Sequence, residues 1–65
     1  MQIQINQVTL ELADGATLAD AIQQMNFTPP FAAAINLQFV PNTQYAEKKL
    51  HANDKIDIIA PVTGG

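Results

Sequence analysis

Met1-Gln2-Ile3-Gln4-Ile5-Asn6-Gln7-Val8-Thr9-Leu10-Glu11-Leu12 alternates apolar and polar side chains on either side of an Asn-Gln pair. That is the period of two half-buried strands joined by a turn. With Asn6-Gln7 as a two-residue turn, residue 5 faces 8, 3 faces 10 and 1 faces 12, so every same-face cross-strand pair is apolar. A slip of one residue would turn all three pairs to the wrong face, which makes the register strongly specified. Asn6 tolerates the left-handed backbone such a turn needs, although its second position would favour Gly over Gln7.

Moving outward, Asp14-Gly15 ends the alternation, and Thr17-Leu18-Ala19-Asp20 has the spacing of a capping box, with Asp20 in place of the longer Glu. A helix follows, with Leu18, Ile22 and Met25 on one stripe, Ala21 beside it, and Asp20, Gln23 and Gln24 turned away. Asn26 and Pro29-Pro30 stop it. Residues 32–36 and 38–40 read as short strands around Asn36-Leu37, the second being an edge because Pro41 follows it. Residues 43–49 are polar, with one helical turn that tucks in Tyr45 and leads to a buried Leu50. After a turn at Asn53-Asp54 comes the last strand, 56–60, with Ile56, Ile58 and Ala60 inward and Asp57 and Ile59 outward. Leu10, Ile22, Ile35 and Ile58 are expected to meet in one core. The result is a two-layer α+β domain, a sheet of four to five strands covered on one face by a single helix. Periodicity leaves the strand order open.

Composition narrows the function. A 65-residue chain is one domain that buries about 60% of its unfolded surface, so a cleft of roughly 300 Å³ or more is hard to carve through its core. At 48% hydrophobic and 14% charged residues it lies outside the disordered class. A net charge of −3, with Lys48, Lys49 and Lys55 as its only basic residues besides His51, argues against nucleic acid. There is no Cys, hence no disulfide and no thiolate metal ligand. The apolar run Phe31–Ile35 is far shorter than the ~20 residues of a membrane span, and Met1–Ile5 lacks the pattern of a signal peptide. The expectation is a soluble, cytoplasmic protein.

The sequence ends Ala60-Pro61-Val62-Thr63-Gly64-Gly65. At average glycine usage, two terminal glycines arise by chance in roughly half a percent of chains. Lacking Cβ atoms, Gly64 and Gly65 pass a narrow channel and take backbone angles closed to other residues. Extended, residues 62–65 reach roughly 13 to 14 Å. We expect residues 1–61 to form the domain and 62–65 a flexible tail able to bring a carboxylate into another protein's active site. A carboxylate is a poor electrophile and needs activation, most simply as an acyl adenylate. The chain contains no phosphate-binding loop for ATP, so the activating enzyme is a partner.

Three stretches together, Ala33-Ala-Ile-Asn-Leu-Gln-Phe-Val-Pro41, Asn53-Asp-Lys-Ile-Asp-Ile-Ile59 and Gly64-Gly65, resemble the thiamine-biosynthesis sulfur carrier proteins along the whole chain. The resemblance implies the β-grasp fold of ubiquitin, with the first and last strands parallel and adjacent at the sheet centre. It also implies a carrier that is not itself an enzyme and binds no cofactor. An adenylating enzyme related to the ubiquitin-activating enzymes would use ATP and Mg²⁺ to adenylate Gly65, and a persulfide donor would convert the terminus to a thiocarboxylate. Thiazole synthase would then take the sulfur. The absence of Cys fits sulfur carried on the backbone terminus. The ending 60–65 also looks like the tail of the small subunit of molybdopterin synthase. That family runs longer between helix and third strand, so the short 26–31 link favours the thiamine carriers. A ubiquitin-like interaction module with an incidental Gly-Gly end is the remaining alternative.

Ile59, apolar and outward beside the tail, is a candidate docking anchor. Phe39 joins it if Val40 faces in, and Val62 belongs to the tail that enters the partner. The resemblance likewise implies a contact surface on the open sheet face. Single exposed apolar residues are nonetheless common. His51, the one histidine, has no second ligand at zinc spacing and reads as a solvated loop residue, and no metal site is expected. Asp54 and Asp57 read as solvated charges, and Met25 as core.

Overall fold

The computed structural model describes residues 1–27 and 29–59. Strands β1 (Gln2–Ile5) and β2 (Val8–Glu11) pair antiparallel with Ile5 opposite Val8 and Ile3 opposite Leu10, the register anticipated above. Asn6 and Gln7 between them are both left-handed, φ 51° and 70°. The same turn recurs between β3 (Ala32–Ile35) and β4 (Gln38–Val40), where Asn36 and Leu37 have φ 50° and 71°. Such doubly left-handed turns match the twist of the strands they join.

Helix α1 (Leu18–Met25) starts with both halves of the capping box: Asp20 N–H donates to Thr17 Oγ1 at 3.3 Å, and Thr17 N–H to Asp20 Oδ2 at 2.9 Å. The helix leaves further N–H groups without intrahelical partners, and these fall to the polar stretch after β4. Leu18 N–H donates to the Lys48 carbonyl (2.8 Å) and Ala19 N–H to that of Tyr45 (3.0 Å), while Leu50 N–H returns a bond to Ala16 (2.9 Å). Residues 45–50, which begin just after a short 3-10 turn at Asn42–Gln44, therefore serve as a backbone cradle for the helix start, and they deliver Leu50 to the core. Left-handed Asn26 closes the helix at φ 59°. Gly15, at φ 88°, sits in the turn before the helix, where a Cβ would be strained.

Strand β5 (Lys55–Ile59) completes a mixed sheet of order β2-β1-β5-β3-β4, with β1 and β5 parallel and all other pairs antiparallel. The first and last strands are neighbours and β5 is central, as the resemblance implied. β4 is an edge, as Pro41 suggested. Ile3, Ile5, Ala33, Ile35, Val40, Ile56 and Ile58 meet Leu18, Ala21 and Ile22 of the helix in one core.

Two expectations need correction, and one feature was not anticipated. Leu10 and Met25 pack against the core as expected but are only half-buried, and Val8 is 51% exposed. The sheet is roughly 19 Å wide and the helix about 10 Å in diameter, so one helix leaves the outer part of edge strand β2 uncovered. Asp54 is no solvated charge: its side chain is 13% exposed and caps a turn, accepting from His51 N–H at 2.8 Å and from Asn36 Nδ2 at 3.0 Å. Finally, Phe31 stacks on Tyr45 at 5.9 Å and meets Phe27 at 6.2 Å, a satellite cluster that fastens the link after the helix to the cradle segment. Residue spacing gave no hint of it.

Candidate functional site

Alternation along β5 sorts its side chains. Ile56 and Ile58 enter the core, leaving Lys55, Asp57 and Ile59 on the open face of the sheet. Ile59 is 63% exposed. Val40 is buried, so Phe39 does face outward, at 68% exposure. In the sheet register Phe39 lies opposite Ala34, Ala34 opposite Asp57, and Ala32 opposite Ile59. Phe39 and Ile59 are thus two strands and two residues apart, roughly 12 Å at standard sheet spacings. Between them Ala32 and Ala34 form a low floor. Two large apolar side chains at the borders of a flat, small-residue surface can receive apolar groups from another protein.

Ala60 and the tail residues Val62, Gly64 and Gly65 lie outside the described residues, as does the proposed division at 61/62. The described part of the chain ends with Ile59 on this same face.

Catalytic equipment is sparse. Among the described residues no three His, Asp or Glu side chains gather to hold a metal ion. His51 is exposed and its Nδ1 lies 3.9 Å from Asp54 Oδ2. Asp54 is occupied by its turn, and Asp57 stands on the open face away from it. A hollow of about 580 Å³ does exist, larger than a domain of this size was expected to hold. Ile56 is the core residue in its lining. Gln4, Lys55 and Asp57 line it from the open face, and Gln7, Asn36, Leu37 and Asn53 from the surrounding turns. No helix among the described residues is long and apolar enough to cross a membrane.

A five-stranded mixed sheet with one helix on it and its terminal strands side by side defines a ubiquitin-like β-grasp protein. The sequence matches the ThiS family over residues 2–65. It is 33% identical over 66 residues, covering both chains fully, to the Sulfur carrier protein ThiS of Escherichia coli (strain K12). The chain belongs to the ThiS family. Its fold is also that of a crystallised thiamine biosynthesis protein (ThiS) from Geobacter metallireducens, with a TM-score of 0.81 over the whole of both chains at 10% identity. That likeness bears on the fold alone.

Missed in the sequence was Leu37, read only as part of a turn. It is 89% exposed and left-handed at once. The signal was available: Asn36-Leu37 occupies the place of an Asn-Gly turn, so an apolar residue stands where glycine would be favoured.

Proposed function

We propose that this chain carries sulfur on its own terminus for thiazole formation in thiamine biosynthesis. The observation that carries the reading is the Gly64-Gly65 ending on a β-grasp chain of the ThiS family. The whole-length likeness to the E. coli sulfur carrier supports it, and so does the absence of any cysteine that could hold sulfur instead.

Chemically, a Gly65 carboxylate oxygen attacks the α-phosphorus of ATP in the partner adenylating enzyme, with Mg²⁺, and pyrophosphate leaves. The terminal sulfur of a persulfide donor then attacks the acyl carbon and expels AMP. Cleavage of the resulting acyl disulfide by a partner thiol leaves the thiocarboxylate and oxidises the thiols to a disulfide. Thiazole synthase receives the sulfur. In these steps the chain is substrate: Gly65 reacts, Gly64 gives the narrow approach, Val62 enters with the tail, and Phe39 and Ile59 dock the domain. The short link between α1 and β3, residues 26–31, favours this acceptor over molybdopterin synthase.

Incubation with the adenylating enzyme, ATP, Mg²⁺ and a persulfide donor tests this. The mass should rise by the difference between sulfur and oxygen, and fragmentation should place the change on Gly65. Oxidation of Met1 or Met25 to the sulfoxide gives nearly the same mass, so the placement matters. Deleting Gly65 should abolish the product, and Gly64→Val should slow it. Modification of the deletion variant, or of methionine alone, would sink the carrier reading.

A further inference from the structure

Strand β5 outruns its parallel partner. Residue pairs join β1 to β5 only at Gln4 with Lys55 and Ile5 with Ile56. At its two ends this pairing is bonded from Gln4 N–H to the Asp54 carbonyl and from Asn6 N–H to that of Ile56, both 2.9 Å. A parallel ladder repeats every two residues, so its next rungs on this side belong to Ile58. No strand is there to make them, because the chain has already turned away at Asn6-Gln7.

The Asn6 side chain fills the gap. Its Oδ1 accepts Ile58 N–H at 2.8 Å and its Nδ2 donates to the Ile58 carbonyl at 3.3 Å, across 52 residues of sequence. A primary amide offers one acceptor and donors in the geometry of a peptide group, so it can continue a ladder that the backbone has left. The turn accounts for an asparagine at this position but not for the two bonds its amide makes to Ile58. Glycine would accept the φ of 51° at this position more readily than asparagine, yet would leave both Ile58 groups without their partner.

We propose that Asn6 is a positioning residue for the terminal carboxylate. By completing the ladder at Ile58, one residue before the end of β5, it fixes the position and direction of the backbone at Ile59, from which the chain continues to its terminus. A reaction at the far end of a tail depends on that origin, since a displacement of about 1 Å can cost on the order of a hundredfold in rate. This inference rests on the carrier reading given above.

Asn36 supplies a matched control. It stands at the same position of the same kind of turn, and its amide also makes two bonds, accepting Lys55 N–H at 3.0 Å and donating to Asp54 Oδ1 at 3.0 Å. Those bonds lie at the opposite end of β5. The test compares wild-type chain, Asn6→Gly and Asn36→Gly in two measurements. In hydrogen exchange, Asn6→Gly should raise the rate at the Ile58 amide at least about tenfold relative to the Ile3 and Ile35 amides of the same molecule. Asn36→Gly should leave that ratio unchanged. In thiocarboxylate formation, Asn6→Gly should lower kcat on the order of tenfold with KM within about twofold, and Asn36→Gly should retain the wild-type kcat. Equal kcat in all three proteins, or equal losses in both variants, overturns the proposal. An unchanged Ile58 exchange ratio in Asn6→Gly does the same. If wild type itself is not converted, the carrier reading fails, whereas the exchange ratio still reports whether Asn6 holds Ile58.

Discussion

Leu37 combines two unfavourable features in one residue. A side chain with a Cβ at φ 71° sits in a region that costs roughly 1 to 2 kcal/mol, and at 89% exposure it recovers little by burial. Replacing it with glycine removes the steric cost but adds unfolded-state entropy worth about 0.5 to 1 kcal/mol. The two effects oppose each other and the first is larger. Leu37→Gly should therefore stabilise the fold by up to about 1 kcal/mol, read as a higher urea midpoint at an unchanged slope. A lower midpoint would mean that the leucine makes contacts its exposure hides. Asn6, Asn26, Asn36 and Asn53 also take left-handed angles, and there the residue type suits the backbone. The asparagines at 6 and 36 do more, lending their amides to β5.

Among the elements, the sheet has two faces with different tasks. One meets α1 in the core, and the other presents Phe39 and Ile59 across the alanine floor. If a partner desolvates that face, a carboxylate placed there loses hydration without gaining a counter-charge. Phe39→Asp and Ile59→Asp should each raise the KM for activation about tenfold, with the circular dichroism spectrum and unfolding midpoint near wild type. Wild-type KM in both variants would take the patch out of the mechanism. Much of this was legible beforehand. Met1 to Leu12 allowed one register that buries its apolar set, and Thr17 to Asp20 carried its own cap. Pro41 after Val40 indicated an edge strand, but the direction of Phe39 stayed conditional on Val40 until the burial of Val40 decided it. The placement of β5 beside β1 came from the family resemblance and not from periodicity. What escaped both depends on contacts between distant segments: the 45–50 backbone accepting from the helix start, and Phe31 on Tyr45. Asp54 was misread partly for the same reason: Asn36, 18 residues away in sequence, reaches it only when β3 and β5 pair, whereas the His51 N–H is a local donor three residues back.

For the molecule as a whole, the core residues and the residue proposed to react occupy different stretches of the sequence. The two ends of the sequence meet as the paired strands β1 and β5, and Ile56 and Ile58 press against the helix from the sheet centre. The group proposed to react belongs to Gly65, six residues past Ile59 in the sequence. Two kinds of substitution should then have opposite consequences. Ile58→Ala empties part of a buried site and should cost roughly 2 to 5 kcal/mol, a large share of the 5 to 15 typical of a whole domain. Its backbone N–H and carbonyl stay available to Asn6, so the fraction that remains folded should still be thiocarboxylated at close to the wild-type kcat. Deleting Gly65 should leave the urea midpoint where it is and remove the product entirely. Both quantities can be measured on the same samples, with the folded fraction from the unfolding curve used to correct the rate. A negligible stability loss in Ile58→Ala would mean that the core does not depend on the centre of β5. A lower midpoint on loss of Gly65 would tie the terminus to the fold.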